Sequence, residues 1–115
     1  CASTFFLATS VNAQSRAAQE VIDLNRQALE AYGNLEFEEA RTLLERALST
    51  AQRGSVTGNP LARTHLNLGV VAVGGFSDNA TGLSHFDQAL RADPNVQLDP
   101  LVSTPDIQQV FGLAR

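Results

Sequence analysis

The stretch NLEFEEARTLLERAL, residues Asn34 to Leu48, decides the fold. Its small and apolar residues recur at the spacing of one helix face: Ala40, Leu44, Ala47 and Leu48, with Phe37 one step earlier. Carboxylates and arginines occupy most of the other positions. The pattern therefore predicts an amphipathic helix whose apolar stripe is covered by another part of the protein.

The composition describes one small domain and excludes several kinds of site. The chain has 115 residues, of which 43% are hydrophobic, enough for a single modest core. Its net charge is -4 and its basic residues, all arginines, form no cluster, so nucleic acid is not an expected partner. Cys1 is the single cysteine, which leaves no internal disulfide and no thiolate metal site.

The first residues, CASTFFLATSVNAQ, differ from the rest of the chain. They carry no charge, and an apolar run from Phe5 to Ala8 leads to Val11-Asn12-Ala13, a small-residue spacing suited to a signal peptidase. We expect residues 1–13 to be the remainder of a secretory signal, with Gln14 as the first mature residue. Alternatively, Cys1 is the lipid-bearing residue of a lipoprotein. The run is too short to cross a bilayer, and both interpretations predict an exported, periplasmic or cell-envelope protein.

Five helices are predicted. The first begins at Ser15 as N-cap and ends at Asn34, and its apolar face is Val21, Leu24, Ala28, Ala31 and Leu35. The second runs to about Gln52, the third from Leu61 to Val73 after Asn59 and Pro60, and the fourth from Asn79 to Arg91. The fifth begins at Pro105 behind Thr104 as N-cap, with Ile107, Val110 and Phe111 on its apolar side. We expect further protein after Arg115.

The helices fall into two pairs with matching patterns. Ala40-x3-Leu44-x2-Ala47 corresponds to Gly82-x3-Phe86-x2-Ala89, which is followed by Pro94. Leu24-x2-Gln27-Ala28-x2-Ala31 corresponds to His65-x2-Leu68-Gly69-x2-Ala72. Between about Val21 and Pro94 the chain resembles the tetratricopeptide repeat, although its repeats lie about forty rather than thirty-four residues apart because the loop from Arg53 to Pro60 is enlarged.

This resemblance implies an all-α fold of two antiparallel helical hairpins, a short α-solenoid. The two hairpins occupy residues 14–94, and a loop with a capping helix follows at 95–115. An unrelated helical bundle is the alternative. We expect the hairpins, about Arg16 to Gln52 and Leu61 to Arg91, to bury a set of small and apolar residues: Ala28, Ala31, Ala40, Leu44, Leu68, Ala72, Phe86 and Ala89.

In the tetratricopeptide family the first helix of each hairpin lines a concave groove. The resemblance therefore implies a partner-binding surface of Asn25, Leu29, Tyr32, Arg63, Leu66, Asn67 and Val70, suited to an extended peptide or a partner helix. Alternatively, another hairpin or the helix from Pro105 covers these residues. The overall layout resembles the N-terminal part of bacterial cell-envelope tetratricopeptide proteins.

No catalytic or cofactor motif accompanies this pattern. His65 and His85, the only histidines, lack the spacing of a metal pair, so we expect His65 in the first hairpin interface and His85 facing solvent. We therefore expect no enzyme, no metal and no cofactor, but a protein interaction or scaffold module. The alternatives are a structural brace, or a regulatory part of a larger protein or enzyme.

Overall fold

The computed structural model describes the backbone of residues 2–115 and the side chains of residues 13–115. These residues form α-helices and short helical turns, with no strand in the described part of the chain. The α-helices are α1 (Ala2–Gly33), α2 (Phe37–Arg53), α3 (Asn59–Val70), α4 (Asn79–Ala92) and α5 (Pro105–Ala114). A π-helical turn, Val71–Gly75, extends α3, and a 3-10 turn, Pro100–Val102, precedes α5. The all-α prediction is confirmed.

Helix α1 packs mainly against α2. Ala28 and Ala31 of α1 share an apolar cluster with Ala40 and Leu44 of α2, so the stripe of the quoted stretch is covered by the preceding helix. The turn between the helices carries Leu35 with φ of 63°, a left-handed conformation that makes the side chain 75% exposed. The prediction that Leu35 belongs to the apolar face of the first helix is wrong, because the helix ends two residues earlier, at Gly33.

Helices α3 and α4 form the second packed pair, and two glycines allow their close approach. A methyl group added at Gly69 would overlap the ring of Phe86, and one added at Gly82 would overlap a methyl group of Val73. The ring of Phe86 is fully buried as a result. All eight residues predicted to be buried in the two helix pairs are buried.

Helix α5 packs on this second pair. Ile107, Val110 and Phe111 belong to the apolar cluster that also contains Leu66 and Phe86. The rings of Phe86 and Phe111 meet edge to face, with their centres 5.4 Å apart. The predicted cap is present, since the backbone N–H of Ile107 donates to the Thr104 hydroxyl over 3.3 Å.

The start of α1 differs from the sequence expectation. The helix continues back to Ala2 instead of beginning at Ser15, because the preceding residues include no glycine or proline that would break it. The predicted signal segment, residues 1–13, lies almost entirely outside the described side chains, and Cys1 lies outside the described residues altogether. Among the described residues, no helix has the length and apolarity needed to cross a membrane.

Candidate functional site

A cleft of about 330 Å³ lies between α1 and α3. It brings together four of the seven predicted partner-binding residues, Asn25 and Leu29 from α1 with Arg63 and Asn67 from α3. Ile22 and Pro60 extend its apolar wall. Because Asn25 and Leu29 are four residues apart, as are Arg63 and Asn67, each pair occupies one face of its helix.

Three predicted groove residues lie outside this cleft. Leu66 and Val70 are 1% and 0% exposed and belong to the cluster that contains Ile107 of α5. The expectation that these two side chains are partly exposed is therefore wrong. The alternative applies to them, because the helix from Pro105 packs over them. Tyr32 is half-buried, with its ring 5.4 Å from that of Phe37, and burial raises the pKa of its hydroxyl. The open surface is shorter than the predicted groove.

A buried hydrogen-bond network forms the floor of the cleft and joins α1 to α3. The Asn25 amide donates to the Val21 carbonyl over 2.8 Å and to the Thr64 hydroxyl over 2.9 Å, and its oxygen accepts from the Asn67 amide over 2.8 Å. The Thr64 hydroxyl donates to the Pro60 carbonyl over 2.9 Å. Sequence analysis missed Thr64, whose one signal is its position four residues after Pro60 within a helix.

Asn67 has hydrogen-bonding capacity to spare. The residue is only 2% exposed, yet it lines the cleft and uses a single amide hydrogen, the one bonded to Asn25. Oδ1 of Asn67 has no hydrogen-bond partner among the described residues, and it is not fully buried, because the fully buried side-chain atom without a partner is Oγ1 of Thr50. This oxygen offers one acceptor to an occupant of the cleft.

The cleft also carries positive charge. Nη1 of Arg63 donates to the Gln97 carbonyl over 2.9 Å, which fixes the guanidinium without neutralising it, and no carboxylate of the described residues pairs with it. Arg26 forms an exposed ion pair with Glu30 at 3.2 Å. Arg63 is therefore the charged group that a carboxylate or carbonyl of a ligand would meet.

The two histidines lie apart from this cleft and differ from expectation. His65 of α3 and His85 of α4 are both half-buried, and their Nδ1 atoms are 3.1 Å apart. The prediction that His85 faces solvent is wrong, because α4 turns it toward α3. Burial lowers the pKa of both rings, and the nearby His85 lowers that of His65 further. The described residues contain no group of three or more His, Cys, Asp or Glu side chains that could hold a metal ion.

The fold and this cleft define a small all-helical protein with an amide-lined, positively charged depression between its first and third helices. Comparisons of the chain with protein-family models, curated proteins and solved structures find no match.

Proposed function

We propose that the chain is a non-enzymatic helical-repeat interaction module that binds an extended peptide segment of a protein partner in the cleft between α1 and α3. The observation that carries the proposal is the amide of Asn67, whose NH2 group donates to Asn25 and whose Oδ1 has no partner among the described residues and borders the cleft. Such an acceptor matches the backbone N–H of an extended peptide.

The neighbouring side chains indicate which peptide would fit. Leu29 and Ile22 provide apolar contact area, and Ile22 is 49% exposed. Arg63 provides a guanidinium at the same surface that pairs with no carboxylate in the part of the chain that the structure describes. We therefore expect a segment with an apolar side chain beside an acidic group.

The resemblance to the tetratricopeptide repeat supports this proposal, because first helices carry the binding surface in that family. The proposal includes an exported, periplasmic or cell-envelope location, which depends on the apolar run and the Val11-Asn12-Ala13 spacing.

A structural brace is the second candidate. The burial of Leu66 and Val70 beneath α5 favours it, because part of the predicted groove serves the core instead. In that case the helices would support adjoining parts of a larger protein or enzyme and would bind no separate ligand.

Selection of peptides from a random displayed library, followed by affinity measurements on a selected peptide, tests the binding proposal. Arg63→Gln should weaken binding of the selected peptide about tenfold, because it removes the charged group at the cleft. Its effect on the melting temperature should be small, since the side chain is only half-buried and forms one hydrogen bond, to the Gln97 carbonyl. Arg46→Gln removes an exposed arginine of α2, outside the cleft, and is the matched control. Failure to select any peptide, or equal effects of the two substitutions, would favour the brace.

A further inference from the structure

A second pocket, of about 360 Å³, lies away from the cleft. Leu68 of α3 and Ala72 of the π-helical turn provide apolar lining, and Phe76 adds to it. Its charged and titratable lining residues are Arg41 and Glu45 of α2 with Asp78 and His85 at α4. His85 therefore belongs both to this pocket and to the contact with His65.

The geometry of the two rings defines that contact. Their centres are 5.4 Å apart and their Nδ1 atoms are 3.1 Å apart. The difference between these two distances is close to twice the distance from the centre of an imidazole ring to one of its atoms, so both Nδ1 atoms lie near the line that joins the centres. The two nitrogens consequently point directly at each other. This is the geometry of one N–H···N hydrogen bond, in which one ring has a hydrogen on Nδ1 and the other does not.

We propose that His65 and His85 form a proton-operated latch between α3 and α4 at the edge of this pocket. In the neutral pair, one Nδ1–H donates to the Nδ1 of the other ring. A first added proton makes the donor ring an imidazolium and strengthens the bond, because a charged donor replaces a neutral one. A second proton places a hydrogen on both facing nitrogens, so no acceptor remains and two like charges face each other.

The surroundings decide which ring is charged first. Glu45 raises the pKa of His85, against the larger lowering by burial, whereas His65 has no such carboxylate and is lowered both by burial and by His85. The carboxylate of Glu45 therefore favours the charge on His85, with His65 as the acceptor. Arg41 is held by Glu38 at 2.8 Å, and Asp78 accepts from the Thr81 backbone and hydroxyl, so both are already engaged near the pocket.

Opening the latch has a defined structural result. The doubly protonated rings repel each other, and the free carboxylate of Glu45 attracts the His85 imidazolium. His85 then moves toward α2, and the α3–α4 contact near His65 is lost. The pocket thus changes shape and charge with pH, through the only two histidines of the chain.

An NMR titration of the imidazole Cε1–H signals across the range of histidine protonation tests this latch in the whole chain, with a chelator present to exclude metal ions. We expect two steps separated by about one pH unit or more, as for any strongly coupled pair. In His65→Gln the remaining ring should titrate in a single step, and His85→Gln is the reciprocal variant. A single step for each ring in the unmodified protein, with the same midpoint as in the corresponding single variant, would overturn the proposal.

Amide hydrogen exchange shows whether the second protonation opens the α3–α4 contact or whether the two rings only titrate as a coupled pair. Below the second step, amides of α3 and α4 near the rings should exchange several-fold faster relative to those of α1 and α2 in the same sample. The double variant His65→Gln/His85→Gln should show no such pH dependence of the ratio. An unchanged ratio in the unmodified protein would contradict the opening.

Discussion

Two threonine side chains in this protein show that the effect of burying a hydroxyl on stability depends on its hydrogen-bond partner. Thr50 and Thr64 are both buried, but only Thr64 hydrogen-bonds through its hydroxyl, whereas Oγ1 of Thr50 has no partner. A buried hydroxyl without a partner lowers stability, and one within a network supports it. The same substitution at the two sites should therefore have opposite effects.

We expect Thr50→Val to raise the free energy of unfolding by about 1 kcal/mol, because a methyl group replaces a desolvated hydroxyl of the same size. Thr64→Val should lower it by about 1–3 kcal/mol, since Asn25 loses an acceptor and the Pro60 carbonyl a donor. Urea denaturation of both variants measures the difference. A loss of stability in Thr50→Val would show that its hydroxyl has a partner in solution.

Close approach at Gly69 gives a second prediction at this scale. Gly69→Ala should destabilise the protein by about 1–3 kcal/mol through overlap with the Phe86 ring, although alanine is the better helix former. Gly112→Ala is the control, because Gly112 is also within a helix but has no atom near an added methyl group. The free energy of unfolding of Gly112→Ala should rise by up to about 1 kcal/mol. Thermal melts of the two variants moving in the same direction would contradict this account.

Helices were the features most readily predicted, since their spacing and caps are local. Periodicity located α2 to α5, and Thr104 was recognised as a cap from its position before Pro105. Periodicity also places Arg63, Leu66, Asn67 and Val70 on one side of α3, within about 100° of arc. It does not reveal which part of that side a distant helix will cover, so the effect of α5 on the groove was not predictable. The His65–His85 contact likewise depends on how α3 and α4 are rotated about their axes.

Helix α5 provides a test of its own packing. Phe111→Ala should lower the free energy of unfolding by about 3 kcal/mol or more, because Phe111 is buried against Phe86. Leu113→Ala, on the same helix but 71% exposed, should change the free energy of unfolding by less than about 0.5 kcal/mol. Equilibrium denaturation compares the two. Equal small effects would mean that α5 does not pack in solution.

The α3–α4 pair should also make stability depend on pH. Both histidine pKa values lie below their ordinary value of 6.5 in the folded protein, so the unfolded chain binds protons first as the pH falls. The contribution of the two neutral histidines to the free energy of unfolding is therefore complete above about pH 6.5. It decreases as the pH falls from there through the lowered pKa values. Thermal melts between about pH 5.5 and pH 8 should show this decrease, and His65→Gln/His85→Gln should flatten it. A melting temperature that rises on acidification over this range would reverse the assigned direction.

At the scale of the molecule, α1 sets the longest dimension. Its 32 residues correspond to about 48 Å of helix, close to the 55 Å extent of the whole structure. Helix α2, with 17 residues, reaches only about half as far. Among the described side chains of α1, those of residues 13–33, the buried ones begin at Val21.

We therefore expect a chain beginning at Gln14 to melt at nearly the same temperature as the full sequence. Calorimetry of the two forms is the measurement. A clear loss of stability would show that residues 1–13 pack into the fold. The proposed secretory signal is tested separately. Mass spectrometry of protein recovered outside the cytoplasm should find Gln14 at the amino terminus, whereas a lipid on Cys1 would support the lipoprotein alternative.

The π-helical turn at Val71–Gly75 has a consequence for the length of the sequence. Such a turn holds one residue more than an α-helix would accommodate over the same rise. Deleting a single residue there and closing the turn as α-helix would therefore leave the chain that follows nearly in place, because the turn absorbs the extra residue. A residue gained or lost in the regular part of α3 would instead rotate the residues beyond it by about 100° relative to those before it. Natural variants of this protein should accordingly gain or lose residues in the loop of residues 54–58 or in the turn Val71–Gly75, and keep the count between Asn59 and Val70 unchanged.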